Sequence, residues 1–269
     1  MPELPEVEAL CRAVRSLVLG KKILEACLVH PQVWQRNLQP PEQVLRGLRG
    51  QKVRHVSRCG KWLLFELESG TLLFHFRLNG RMLWELPGKP IQHADLRLVF
   101  PHGTLIFQDP RHLGKVRWSP GRMKPAELQQ LGWNPLDPAF TARHLQELVC
   151  TSRRPVKVLL IDQSRLAGLG NIYASEALWE ARLDPRRPGN ALSAVEVRRL
   201  HRAIVRVLRR ALECCSKPLP ALSDPDWWFG EVPLNVYGRR GERCRRCGGR
   251  IWHFLLQGRA SYACTKCQT

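Results

Sequence analysis

The sequence predicts an α+β protein with a strand-rich first half, a helical second half and a metal-stapled hairpin at its end. Three observations predict it. Between Lys22 and Gln108, seven short apolar runs are punctuated by turn residues. From Thr141 to Ala211 the apolar residues recur at helical spacing. Near the end, Cys244-x2-Cys247 and Cys264-x2-Cys267 form two close pairs separated by sixteen residues. At 269 residues the chain is long enough for two domains with cores of their own.

Taken in order, Val7, Leu10, Cys11, Val14, Leu17 and Val18 mark a first helix from Pro5 to Leu19, which Gly20 is placed to end. Strands are expected at Lys22–Val29, Lys52–Arg58, Trp62–Leu67, Thr71–Phe76, Met82–Leu86, Leu96–Phe100 and Thr104–Gln108. Many short strands of this kind make a β-sandwich or barrel, with the first helix packed against it. Proline-rich Trp133–Pro138 reads as the linker that closes this domain. Beyond it, Thr141 can cap a helix to Cys150, and a second helix is expected over Pro155–Leu166. Gly168-Leu-Gly170 then turns the chain into a third helix that Asn171 can cap. Ser193-x-x-Glu196 is a capping box for a long helix with an arginine-rich outer face. Residues 216–233 read as a loop. The expected domains are 1–132, 133–235 and 236–269.

The formal net charge of +20 points to a polyanionic partner, with nucleic acid first. No run of 18 or more apolar residues is present and the N-terminus is acidic, which argues for a cytoplasmic protein without a membrane partner. Ten cysteines in such a protein point to metal or free thiols rather than to disulfides. The spacing of Cys244, Cys247, Cys264 and Cys267 suits one tetrahedral structural Zn²⁺ per chain.

The first eight residues, Met-Pro-Glu-Leu-Pro-Glu-Val-Glu, admit two readings. In one, Pro5 and the glutamates simply start a helix, since proline suits its first turn and acids its positive end. In the other, removal of Met1 exposes the secondary amine of Pro2. An α-amine titrates near ~8 against ~10.4 for lysine, so at neutral pH it is the better amine nucleophile. Glu3, Glu6 and Lys61 would then serve it.

Five motifs in order resemble the formamidopyrimidine-DNA glycosylase/endonuclease VIII family. Pro2-Glu-Leu-Pro-Glu-Val-Glu8 is similar to the N-terminus of its formamidopyrimidine branch. Gly60-Lys61-Trp-Leu-Leu64 resembles its lysine-bearing strand, and Asp109-Pro-Arg-His-Leu-Gly114 a DNA-probing loop. Leu169-Gly-Asn-Ile-Tyr-Ala-Ser-Glu176 resembles its helix–two-turn–helix, and the four cysteines its finger.

The resemblance implies a helix-flanked β-sandwich, a helix–two-turn–helix domain with a zinc finger, and damaged double-stranded DNA bound by a monomer in the cleft between them. It implies a bifunctional glycosylase/AP lyase: Pro2 as nucleophile, Glu3 as acid/base, Glu6 in support, Lys61 assisting elimination, and Arg259 gripping phosphate. His75, His93, Lys157 and Asn171 match backbone-contacting positions. Leu78, Arg111 and Leu113 match the residues that fill the hole left by a flipped base, where the branch usually has Met, Arg and Phe. Cys214-Cys-Ser-Lys-Pro-Leu-Pro220 replaces the small-residue start of the lesion-capping loop, which argues for weak activity on 8-oxoguanine. The alternative is a binder of damaged DNA that does not cut, and a zinc-ribbon transcription factor is more distant, since it leaves the N-terminal half unexplained.

Overall fold

The computed structural model describes residues 2–34, 37–121, 124–215, 222 and 232–269. Most of the expected 216–233 loop and of the Cys214–Pro220 segment lies outside the described residues. The contacts divide the chain into two compact units, with the break between Gln129 and Gln130.

In the first unit, helix α1 (Leu4–Val18) buries Leu4, Val7, Leu10, Cys11, Val14 and Val18 along one stripe. Gly20 follows in a left-handed conformation and donates to Val53 O at 2.8 Å. Strands β1 (Glu25–Leu28), β2 (His55–Cys59), β3 (Trp62–Glu66), β4 (Gly70–His75), β5 (Arg81–Glu85), β6 (Leu96–Phe100), β7 (Gly103–Gln108) and β8 (Lys115–Pro120) form two antiparallel sheets. Their orders are β1-β6-β7-β5 and β2-β3-β4-β8. Phe74 and Phe76, at the end of β4, meet Phe107 of β7 at 5.8 Å between ring centroids, so the inner faces of the two sheets interdigitate as a sandwich. Helix α2 (Pro41–Leu48) packs by β1, and the short α3 (Ala126–Gln129) carries Glu127, which pairs with Arg117 of β8 at 3.2 Å. Every expected strand is present, most of them trimmed at the ends. Strand β8 and helix α2 were not expected.

The second unit holds α4 (Ala142–Val149), α5 (Val156–Leu160), α6 (Asn171–Glu180), α7 (Ala194–Cys215) and the hairpin β9 (Ile251–Leu256)/β10 (Arg259–Cys264). Thr141 caps α4, and Ser193 and Glu196 exchange hydrogen bonds at the start of α7, as expected. Three expectations are corrected. The helix from Pro155 ends at Leu160 rather than Leu166, because the Asp162 carboxylate accepts Ser164 N–H and turns the chain. Gly170, not Asn171, is the N-cap of α6, since the Asn171 amide is committed elsewhere. Trp133–Pro138 is no loose linker: Trp133 bridges to Leu166 and stacks on His144 at 4.3 Å.

The finger is not packed apart from the helices either. Trp179 of α6 shares one buried cluster with Val236, Cys244, Ile251 and Cys264.

Candidate active site and metal centre

The site in the first unit is assembled at one end of the sandwich, as the strand register shows. Trp62 pairs with His75 and His75 with Lys115, while Arg81 pairs with Gln108. The Gly60-Lys61 turn, the β4–β5 loop carrying Leu78 and the β7–β8 loop carrying Arg111 and Leu113 therefore all leave the sheets at the same end.

Helix α1 points its N-terminus into this group. Glu3 is its N-cap, and Glu6 Oε2 accepts the Glu3 N–H at 2.8 Å, closing a capping box. Pro2, Glu3 and Glu6 are buried. The simpler reading of the glutamates is thus correct as far as it goes, but burying two carboxylates is more than a helix start requires.

Lys61 is also buried, at the two-residue turn joining β2 to β3, where Gly60 takes φ +58°. Arg58 ties this turn to α1: its Nε donates to Glu8 Oε2 at 3.0 Å and its Nη1 to Gly60 O at 2.7 Å. Burial pushes the Glu8 carboxyl up, but Arg58 and Arg12 outweigh it and hold the group below the usual carboxylate range. Glu8 and Arg58 had no assigned role in the sequence, because the pairing spans fifty residues.

His75 is desolvated and faces the charges of Arg77, Lys61 and Lys115, and its pKa is pushed down to about 3. Its Nδ1 accepts Arg77 N–H at 3.1 Å, leaving Nε2–H as the donor of a neutral ring. A neutral imidazole can offer phosphate a hydrogen bond but no charge, so the cations around it are Arg77, Lys61 and Lys115. The last was missed along with β8. We expect the His75 ring to show no titration between pH 5 and 8 by NMR, a window in which an ordinary imidazole changes charge near ~6.5. A midpoint inside that window would overturn this assignment.

The β7–β8 loop is held by hydrogen bonds to two buried carboxylates. Buried Asp109 accepts Arg111 N–H through Oδ1 and Gly114 N–H through Oδ2, and Asp95, also buried, accepts Asp109 N–H. Arg111 and Leu113 stand exposed on this frame, and Leu78 is exposed on its own loop. His93 is exposed with φ +58° in the segment before β6.

In the second unit, side chains from α5 and α6 converge on one carbonyl of β10. Lys157 Nζ donates to Ala260 O at 2.9 Å and Ser261 Oγ at 2.6 Å, and Asn171 Nδ2 donates to Ala260 O at 2.9 Å. Lys157 is fully buried. Both residues hold the strand just beyond Arg259, which is exposed at a tight turn where Gln257 and Gly258 both take positive φ. Glu176 anchors the finger's entry: its buried carboxylate accepts the N–H groups of Asn235, Val236 and Tyr237 at 2.8–3.0 Å.

The four cysteine sulfurs lie within 4.8 Å of one another, with Cys244–Cys267 at 3.8 Å and Cys247–Cys264 at 3.4 Å. Zn–S bonds of ~2.3 Å put the corners of a tetrahedron ~3.8 Å apart, so this cluster fits a metal ion. N–H groups already point at the sulfurs. Although burial raises the Cys244 thiol, Trp179 Nε1–H at 3.3 Å and backbone donors bring it down to about 6.

Comparison with known proteins agrees over the whole chain. Residues 1–116 match the model described as formamidopyrimidine-DNA glycosylase N-terminal domain, and 131–219 the one described as its H2TH domain. A formamidopyrimidine-DNA glycosylase of Halalkalibacterium halodurans is 37% identical over 278 residues, covering all of both chains. The Lactococcus lactis Fpg in complex with abasic-site DNA matches with a TM-score of 0.89 at 31% identity, over 99% of each chain. The same protein with FAPY-dG-containing DNA matches with a TM-score of 0.88 at 31% identity, over 99% of this chain and 100% of that one.

Proposed function

The chain belongs to the formamidopyrimidine-DNA glycosylase family, and from that premise we propose how its residues carry out base excision and strand cleavage. The family's chemistry is that of a bifunctional DNA glycosylase/AP lyase of base-excision repair. The observation that carries the residue assignment is the burial of Pro2, Glu3, Glu6 and Lys61 at one end of the sandwich, framed by Glu8 and Arg58.

A damaged nucleotide is first flipped out of the duplex, since its sugar carbon is otherwise out of reach. The Pro2 nitrogen, freed of Met1, attacks C1′ and the base departs with the glycosidic electron pair. The positive end of α1 disfavours protonation of that nitrogen and so keeps its lone pair available. Glu3 delivers the proton that lets the sugar ring open, and Glu6 holds the Glu3 backbone in place. The resulting iminium acidifies the C2′ protons. Loss of one of them forms the C2′=C3′ double bond and expels the 3′ phosphate by β-elimination, and loss of the C4′ proton then expels the 5′ phosphate.

Lys61, His75 and Lys115 take phosphates around the reacting sugar, and Arg259 takes another from the finger. Lys157 and Asn171 act through Ala260 to position Arg259, and His93 contacts backbone. Leu78, Arg111 and Leu113 occupy the hole left in the stack, with Arg111 bonding the orphaned base. The metal is one structural Zn²⁺ on Cys244, Cys247, Cys264 and Cys267; it would order the hairpin. The protein works as a monomer on damaged duplex DNA in the cytoplasm of a bacterial-type cell, and no described helix is long and apolar enough to cross a membrane. The domains are those at 1–132, 133–235 and 236–269.

Reductive trapping tests the chemistry: with borohydride and abasic-site duplex a covalent protein–DNA adduct is expected. Tight binding to such DNA with neither adduct nor nick would make the protein a binder only.

On substrate, ring-opened purines, oxidised pyrimidines and abasic sites should be processed better than 8-oxoguanine. That base differs from guanine by one oxygen and one N7 proton, so rejecting guanine needs donors and acceptors aimed at those atoms. Shape alone discriminates by only ~1–3 kcal/mol. Within Cys214–Pro220, Pro218 and Pro220 offer no N–H, and Leu113 wedges without an aromatic face. The pocket then selects bases whose weak pairing makes flipping cheap. Single-turnover excision on matched duplexes decides: 8-oxoguanine opposite cytosine removed as fast as a formamidopyrimidine would refute this preference.

A further inference from the structure

Behind the probing loop lies a cluster that the proposed chemistry does not use. Asp95, only 1% exposed, precedes β6, and its Oδ1 lies 2.7 Å from His112 Nδ1. His30, two residues beyond β1, donates its backbone N–H to Asp95 O at 3.3 Å, and its ring lies 4.8 Å from that of His112, centroid to centroid. One side-chain donor atom from each of the three residues lies within 4.8 Å of the other two. We propose that His30, Asp95 and His112 bind one divalent transition-metal ion of the zinc class, separate from the ion of the four cysteines.

Three features support this. Two imidazoles and a carboxylate are a donor set that late first-row divalent ions favour, commonly with water in a fourth position, and both rings are half-buried and so open to such a water. The geometry is nearly closed: bonds of ~2.0–2.1 Å place tetrahedral donors ~3.3 Å apart, a distance bracketed by the 2.7 Å contact and the 4.8 Å limit. Third, Asp95 is a buried carboxylate whose ion-pair partner among the described residues is His112, and that ring is charged only when protonated. A metal ion replacing the proton between Nδ1 and Oδ1 would supply the countercharge burial calls for.

The placement has a consequence, which rests on the function proposed above. His112 stands between Arg111 and Leu113 with φ +50°, and Asp95 also holds Asp109, whose carboxylate braces the rest of the loop. An ion on His112 would pin the loop that enters the duplex to the ends of β1 and β6. The alternative is that the Asp95–His112 hydrogen bond is only a structural brace and binds nothing.

The test is titration of Co²⁺ into purified protein whose four-cysteine cluster is filled with zinc. We expect one further equivalent, seen as visible d–d bands without the near-ultraviolet thiolate-to-cobalt band that exchange into the cysteines would produce. His30→Gln and His112→Gln should each weaken it by at least the ~10-fold that even an outer partner of a ligand costs, while His55→Gln leaves it unchanged. No further equivalent, or one that survives both substitutions, overturns the site. DNA takes no part in this titration. A protein that binds the second cobalt but fails to cut abasic DNA would therefore refute the proposed function and leave this site standing.

Discussion

Retaining Met1, or adding any residue ahead of Pro2, is expected to lower borohydride trapping on abasic-site DNA by ~100-fold or more while leaving DNA affinity nearly unchanged. The expectation follows from geometry. An added residue moves the free amine by one Cα–Cα step of ~3.8 Å and turns the Pro2 nitrogen into an amide with no nucleophilic lone pair. Misplacing a reacting atom by ~1 Å can already cost ~100-fold. The buried surroundings leave no slack for compensation, because Pro2 and Glu3 are packed against the capped start of α1. Pro2→Gly should fall between the two, since it keeps an α-amine at the right place but loses the secondary amine and the ring that limits its motion. Affinity should survive in each case because the phosphate contacts proposed for Lys61, Lys115 and Arg259 are untouched. Gel analysis of trapped complex with anisotropy on the same preparations separates the two quantities. Equal trapping by the extended protein would move the nucleophile elsewhere, with Lys61 the first candidate.

What could be read from the sequence was local. The apolar stripe of α1, the Thr141 cap, the Ser193–Glu196 box and the paired cysteines each declare themselves within a few residues, and each stands where expected. Helix α2 was hidden by Pro40-Pro41 and Gly47, which read as breakers although proline at the first turn starts this helix. Strand β8 was hidden because Lys115, Arg117 and a terminal Pro120 look like loop, and its place beside β4 makes a strand of it. The long-range carboxylate and lysine roles could not be read. Glu8 finds Arg58, Glu176 finds residues 235–237, and Lys157 finds Ala260 only once the chain has folded. Such partners lie fifty or more residues apart and have no spacing to betray them. Lys157 and Asn171 match phosphate-contacting positions through the family resemblance alone, and their Nζ and Nδ2 atoms donate here to the hairpin that carries Arg259.

That hairpin is where the second large effect is expected. Cys264→Ser should drop bound zinc from one per chain to a small fraction and weaken DNA binding by more than ~10-fold, with the first unit still folded. Cys264 is the last residue of β10; its Sγ lies 3.4 Å from that of Cys247, and it shares a buried cluster with Trp179 and Cys244. A serine hydroxyl is a poor zinc ligand and leaves a buried polar group in its place. The hairpin has little core of its own: Trp252 and Leu255 of β9 are exposed, so metal coordination supplies much of what holds it.

The damage then spreads along named bonds. If β10 loosens, Lys157 loses Ala260 O and Ser261 Oγ, and a buried ammonium without those acceptors destabilises α5 as well. Arg259 loses the fixed turn that presents it. The first unit has its own two-sheet core and no share in these bonds, so limited proteolysis should nick the second unit while a fragment covering the sandwich persists. Stripping zinc from the unaltered protein with a chelator should reproduce the same cleavage pattern. Two results would count against the assignment: metal analysis of the natural protein finding no zinc, or Cys264→Ser protein binding abasic duplex as tightly as its parent.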